Sequence, residues 1–442
     1  MEAKWTTTSA GRYPLRHSKK IKNSRLGVAS ERKRTAVMAD AVIIGAGQAG
    51  IQAALSLRAM GFDGRVRLLG DEAAAPYQRP PLSKGFLLGK VAESELLLRS
   101  AHALSGQAIE WLGQTRVRRI NRPGRSVETD TQRFSYDALI IATGGRAHRP
   151  EIEGASLQGV ETLRSIDDAL RIRSELAPGK RLVILGGGYI GLEVAAASTQ
   201  AGCKVVVVEG ASRVLCRVAP PALSQFFEKE HRARGVEIEL SSTISRIVGT
   251  DGKVSAVELE SDRVLPADIV LLATGLIAND ELAVTAGLPC NRGILVNEWA
   301  ATEDPRIFAI GDVAVQYHAQ TQAWVRMESV ANAVWQGKMA ASCVTSSPPP
   351  LPELPWFWSD QFDIKLQIAG LSHPEDEIIL RGDPGDAKFC MFTARNGVLT
   401  SVSAVNSPGE FLVAKRLVAA RRDLPLAALR DRSVALKQYL LD

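Results

Sequence analysis

Two glycine-rich turns, each set between an apolar run and a small-residue helix, and two matching Ala-Thr-Gly strand ends predict the fold class. It is an α/β chain of two Rossmann-like dinucleotide-binding domains, followed by a smaller α+β domain. The length of 442 residues suits about three domains. Apolar content of 45% allows large cores, and 23% charged residues argues against global disorder. No apolar run approaches the roughly 18 residues that span a bilayer, so no membrane partner is expected. The five cysteines, Cys203, Cys216, Cys290, Cys343 and Cys390, form no CxxC or CxxxxC pair. That pattern suits a reducing, cytoplasmic setting and argues against an intrinsic zinc or iron–sulfur site.

The net charge of +6 misleads. Residues 1–39 carry ten Lys/Arg and two acids, which is +8, so the remainder is −2. No nucleic-acid surface follows from such a balance. Residues 1–37 are basic, polar and aperiodic, with no secretory h-region, and are expected to be disordered. They overlap in composition with an organelle transit peptide. The preferred reading is that translation starts at Met38, directly before the first strand.

The first unit runs from Ala41. Ala41-Val42-Ile43-Ile44 is an apolar strand, and Gly45, Gly47 and Gly50 follow at GxGxxG spacing. Ile51 to Met60 continues as helix, and Val66 to Leu69 returns as strand. Asp71, 26 residues after Gly45, is placed to accept from a ribose hydroxyl. Tyr77-Gln78-Arg79-Pro80-Pro81-Leu82-Ser83-Lys84 comes next. Its prolines argue for a rigid loop rather than helix or central strand. On composition alone Lys84 is a solvated lysine after a turn. Val127 to Thr131 and Tyr136 to Ile141 read as strands, the second ending in Ala142-Thr143-Gly144.

The second unit repeats the pattern more cleanly. Leu182 to Leu185 is a strand; Gly186, Gly188 and Gly191 give the tight turn, the close approach to a pyrophosphate and the close helix packing. Leu192 to Ala197 is helix, whose N-terminus offers free N–H groups to phosphate. Val205 to Val208 ends on Glu209, 23 residues after Gly186. A carboxylate there binds a ribose 2′-hydroxyl and repels a 2′-phosphate, so NAD is favoured over NADP. Arg213, just beyond, leaves room for NADPH. Ile269 to Leu272 ends in Ala273-Thr274-Gly275, the second copy of the strand end, which suggests that the halves are copies of one fold. Two dinucleotide signatures imply two dinucleotides, most economically FAD and a nicotinamide nucleotide.

Pro305 to Asp312 is a short strand leading to an acid, Asp312, and Ala331 to Ala341 is a helix of small residues. A proline-rich linker from Ser346 to Pro352 marks a boundary. Beyond it, Trp356-Phe357-Trp358 concentrates aromatics. Lys365 to Ile368, Glu377 to Leu380, Phe389 to Phe392 and Val398 to Ser403 read as an antiparallel sheet, and two basic helices end the chain.

The phrases AVIIGAGQAG, PYQRPPLSK, YDALIIATGGR, TLRSIDDA, LVILGGGYIGLEVA, RIFAIGDVA, RMESVANA and PWFWSDQ stand in this order from about Ala41 to Leu424. In that order the chain resembles the NAD-dependent ferredoxin reductases of bacterial oxygenase systems, FAD flavoproteins of the type that reduce putidaredoxin or rubredoxin. The resemblance implies a glutathione reductase-like arrangement. Residues 38–147 with 273–345 would be the FAD-binding domain, 148–272 the NAD-binding domain, and 346–442 a C-terminal α+β interface domain. It implies FAD contacts at Gly45, Gly47, Ala49, Gly50, Asp71, Lys84, Val117, Ala142, Thr143, Gly144, Arg164, Asp312, Val330 and Trp358. It implies NAD contacts at Gly186, Gly188, Ile190, Gly191 and Glu209. Lys84 and Glu193 would be the catalytic pair, a cation beside the flavin held by a carboxylate. Trp335 stands where the family carries an acid, and is read as a buried aromatic. Arg421 and Arg422 are candidates for docking an acidic partner.

The activity implied is hydride transfer from NADH to FAD, then single-electron transfer to a [2Fe–2S] ferredoxin (or a rubredoxin) that serves an oxygenase. Related disulfide reductases place a CxxxxC pair where this chain has YQRPPLSKG, so the electron acceptor is external. Two alternatives stand beside this reading: an NADH oxidase, and a non-enzymatic NAD-sensing flavoprotein.

Overall fold

The structure, a computed structural model, describes residues 40–318, 322–421 and 424–440. The basic leader, the start at Met38 and Arg422 lie outside the described residues. Two five-stranded parallel sheets carry the first two thirds of the chain. In the first, the strands lie in the order Ile307–Ala309, Ala138–Ile141, Asp40–Ile44, Arg65–Leu69, Ile109–Leu112. In the second the order is Glu237–Leu240, Lys204–Glu209, Arg181–Leu185, Ile269–Leu272, Val160–Glu161. The central strands are continuous apolar runs because both sheet faces are covered. In the first unit the helices Gln48–Ala59 and Val330–Thr345 pack on one face and on each other. Gly337 makes this possible: a Cβ there would lie 3.0 Å from the Ala49 carbonyl oxygen.

The two units are copies in detail. Ile44 pairs with Leu69, and Leu185 with Val208. Gly45 and Gly186 follow, with φ of +104° and +111°, a conformation that side chains disfavour. Each glycine N–H donates back across the strand pair at 2.8 Å, to Leu69 and Val208 respectively. Each Ala-Thr-Gly strand end abuts its glycine. A Cβ on Gly45 would stand 2.2 Å from the Ala142 carbonyl oxygen, and one on Gly186 2.5 Å from that of Ala273.

Several local expectations are corrected. The prolines after Arg79 do admit helix: Pro80–Ser83 is one 3-10 turn, because proline at a first helical position loses no hydrogen bond. The strand expected over Val127 to Thr131 is Ser126–Thr129, and Tyr136 precedes its strand instead of starting it. Trp356–Gln361 is itself a strand, the edge of a five-stranded antiparallel sheet that includes the four predicted ones. The two C-terminal helices are found as expected, a long one, Pro408–Ala420, and a short one of five residues, Leu426–Arg430. Trp335 is half-buried, and its Nε1 donates to the Leu351 carbonyl at 3.0 Å, tying the long helix to the proline-rich linker. Among the described residues no helix is long and apolar enough to cross a membrane.

The terminal segment is held by Arg381, whose side chain is only 3% exposed. Its guanidinium pairs with Glu410 at 2.8 Å and donates to the carbonyls of Asp431 at 2.5 Å and Val434 at 3.0 Å. Arg381→Met would leave those acceptors unmet. Urea unfolding should show a loss of about 3–5 kcal/mol, and limited proteolysis should cut first beyond Ala420.

Candidate functional site

Both glycine loops are shaped to receive a phosphate. Gly47 and Gly188 cap their helices with no side-chain hydrogen bond, and neither first turn carries an acid. The leading N–H groups are therefore free to donate to an anion. A Cβ at Gly47 or Gly188 would meet nothing within 4 Å, so the space before each helix is open. By contrast, a Cβ at Gly50 or Gly191 would sit 1.9 or 2.0 Å from the preceding loop's carbonyl, of Gly45 and Gly186. These two glycines bring helix and strand together; the other two leave the cradle clear.

Around the first loop, the structure gathers Ala49, Thr143, Gly144, Arg164, Asp312 and Val330. Arg164 Nη2 pairs with Asp312 at 2.9 Å, and Gly144 lies against the same nitrogen. Arg164 Nε is buried without a partner, as a donor awaiting an acceptor would be. Val330 opens a sixteen-residue helix, with the Ser329 side chain accepting from Asn332 at its N-cap. Val117 does not join them through its side chain, which is 6% exposed and packed in the core beside Val42, Ile44 and Leu69. Asp71 is exposed, and it is not the counterpart of Glu209: the strand register gives that place to Gly70, whose absent Cβ makes way for the Trp111 ring.

Sequence reasoning missed the residues that brace this cradle. Glu72 accepts from the Tyr77 hydroxyl at 2.5 Å and from Arg79 Nη2 at 2.5 Å, while Arg79 Nη1 donates to the Arg164 carbonyl at 2.7 Å. Burial pushes the Tyr77 phenol well above its usual range, so it stays a donor. Only the closeness of Glu72, Tyr77 and Arg79 in the chain hinted at this.

Around the second loop, Glu209 bonds its own backbone. Its Oε2 accepts from Gly187 N–H at 2.7 Å and its Oε1 from Ala211 N–H at 2.8 Å. Ile190 is 46% exposed at the helix start, available to a ligand. Arg213 turns away: its guanidinium donates to the carbonyls of Ala219 at 2.8 Å and Cys216 at 2.9 Å and to the Ser224 hydroxyl at 2.6 Å. The guanidinium that the sequence left open to a 2′-phosphate is thus engaged within its own loop.

Between the two cradles lies the Lys84–Glu193 pair, at 2.7 Å. Lys84 caps the Pro80–Ser83 turn; Glu193 sits on the second unit's helix and is 5% exposed. Ser83 Oγ donates to Glu193 Oε2 at 2.5 Å and Ser359 Oγ to Oε1 at 2.6 Å. Gln361 Nε2 donates to Ser359 at 3.1 Å, and its Oε1 accepts from His231 Nε2 at 2.8 Å. Trp358, between Phe357 and Ser359, is half-buried with its ring 5.6 Å from that of Trp356. Disulfide chemistry has no support: all five cysteines are free, and burial raises Cys290 to about 11 and pushes Cys203, Cys343 and Cys390 up.

Residues 39–337 match the family of pyridine nucleotide-disulphide oxidoreductases, and residues 356–440 a reductase C-terminal family. Putidaredoxin reductase of Pseudomonas putida is 42% identical over 406 residues, covering 90% of this chain and 96% of that protein. A probable ferredoxin reductase of Castellaniella defragrans is 41% identical, covering 88% and 96%. Among solved structures, the covalent putidaredoxin reductase–putidaredoxin complex matches with a TM-score of 0.88 at 40% identity, covering 90% of this chain and 97% of that one.

Two outcomes are expected. Glu209→Ala should raise KM for NADH about tenfold yet leave NADPH a poor substrate, because Arg213 is already engaged; steady-state kinetics with both nucleotides checks this. His231 is buried, faces Gln361 and Phe362, has Arg234 and Glu230 beside it, and is held near 4 by burial against an ordinary 6.5. The unfolded chain thus binds the proton first as pH falls. Stability should be full above pH 6.5 and decline by roughly 3 kcal/mol between 6.5 and 4. In His231→Gln, the slope of unfolding free energy against pH over that window should flatten.

Proposed function

The chain belongs to the pyridine nucleotide-disulphide oxidoreductase family, and from that premise we propose that it is an FAD-dependent NADH:ferredoxin reductase of an oxygenase system. The observation that carries the reading is the pair of open glycine cradles with the Lys84–Glu193 pair between them and no cysteine pair to take electrons inside the chain. Bound FAD supplies the conversion of a two-electron hydride from NADH into one-electron output.

This chain's residues fit both nucleotides. Gly45, Gly47, Ala49 and Gly50 with their free helix N-terminus would hold the FAD diphosphate, and Asp71 its ribose. Arg164, Asp312, Ala142, Thr143, Gly144 and the Val330 helix end would hold the rest; Val117 would contribute through its backbone. Gly186, Gly188, Ile190 and Gly191 would bind NAD(H), with Glu209 setting the preference. Lys84 would place a fixed positive charge beside the site of reduction, favouring the electron-rich product. Glu193 would keep that ammonium paired while half out of water. Trp358 would shield one side.

The division we propose is 38–147 with 273–345, 148–272 and 346–442; it is supported by each sheet drawing its strands from one of these parts. The acceptor would be a [2Fe–2S] ferredoxin or a rubredoxin, in the cytoplasm. Arg421 is exposed beyond the long C-terminal helix, where an acidic partner could reach it. The oxidase alternative would need an activated thiol, and burial holds four of the five cysteines protonated.

In stopped flow, NADH should bleach the flavin within seconds, and a [2Fe–2S] ferredoxin should accelerate cytochrome c reduction. Bleaching over minutes, or no effect of any ferredoxin, would sink the proposal. Lys84→Met should retain FAD and slow flavin reduction roughly 10–100-fold.

A further inference from the structure

One face of the strand Trp356–Gln361 meets the NAD-side unit three times in succession. Phe357 packs edge-on against Tyr189 with ring centroids 4.8 Å apart. Ser359 donates to Glu193, and Gln361 accepts from His231. Alternation along the strand sets these three on one side and Trp356, Trp358 and Asp360 on the other.

The polar contacts run in one direction. Gln361 spends its amide N–H on Ser359, so its oxygen is the acceptor, and His231 must carry its proton on Nε2. His231 Nδ1 is then bare and buried, and no partner meets it. Ser359, having accepted from Gln361, has its own proton left for Glu193 Oε1. Ser83 gives its proton to Oε2 from the opposite side. Such a chain of donors must end on an acceptor-only group, and an ionised carboxylate is one.

We infer that Ser359 is a positioning residue for Lys84, acting through Glu193, with Gln361 and His231 holding the Ser359 hydroxyl in orientation. The inference rests on the reading of Lys84 under Proposed function. One hydroxyl on each oxygen fixes the plane of the Glu193 carboxylate. Lys84 Nζ then has a single seat, at Oε2, steadied by the Pro80 carbonyl at 3.1 Å. Remove Ser359 and Oε1 loses its donor, the carboxylate is free to rotate, and the ammonium moves with it. The domain that carries Trp358 thereby sets the position of a charge that belongs to the first domain.

The test uses the holoenzyme and reads the midpoint potential of the bound flavin beside thermal unfolding and NADH kinetics, with Lys84→Met as reference. Ser359→Ala should move the potential in the same direction as Lys84→Met and slow flavin reduction about tenfold, with KM for NADH unchanged. Ser359→Thr, which keeps the hydroxyl, should restore both. Gln361→Met should give a smaller shift of the same sign, and it stands in if Ser359→Ala does not fold. Wild-type potential and rate in Ser359→Ala, or in Gln361→Met alone where the former is unfolded, overturn the inference while Lys84→Met still shifts the potential. A Lys84→Met enzyme with the wild-type potential overturns the reading of Lys84 and this inference with it.

Discussion

Glu193 is a carboxylate taken almost wholly out of water, and that cost is offset only when every lone pair finds a donor. The carboxylate and its donors come from three regions of the chain. Ser83 and Lys84 sit on the proline turn of the first unit, Glu193 itself on the helix of the second, and Ser359 on the first strand of the C-terminal sheet. None of the three regions can supply a satisfied carboxylate alone. Assembly of the domains and the seating of the Lys84 ammonium on a satisfied carboxylate are therefore one event.

The duplicated units show how the same backbone solution serves two ligands. In both, a glycine at positive φ turns the strand, and a second glycine lets the helix sit on the turn. The units differ where the ligands differ. Glu209 is drawn into its own loop, where two backbone N–H groups fix the position of its carboxylate. In the first unit, that place belongs to Gly70 and the Trp111 ring, and the next residue, Asp71, is exposed.

The C-terminal sheet is more than a cover. Its edge strand presents alternate residues to opposite sides: Phe357, Ser359 and Gln361 to the second unit, Trp356 and Trp358 away from it. Lys415 of the long helix lies over the Trp356 ring at 4.7 Å and pairs with Glu353 at 3.4 Å, so the aromatic side is braced as well. Burial on one face fixes the register, since a one-residue slip would exchange serine for tryptophan against Glu193.

The sequence by itself determined the two strand–turn–helix units, the roles open to their glycines, and the acid Glu209. These depend on neighbours within about 30 residues, where chain geometry alone sets what can meet. It placed four of the five C-terminal strands for the same reason. It missed the 3-10 turn at Pro80, because the prolines forbid helix interiors and not helix starts. It left Arg213 open, because a side chain's partners are decided by how the following loop folds. The partners of Glu193 could not be read from spacing: Ser83 is 110 positions away and Ser359 is 166, and His231 meets Gln361 across 130. Contacts of that separation are made by domains packing against one another, and only the tertiary structure decides which hydroxyl then faces a buried carboxylate.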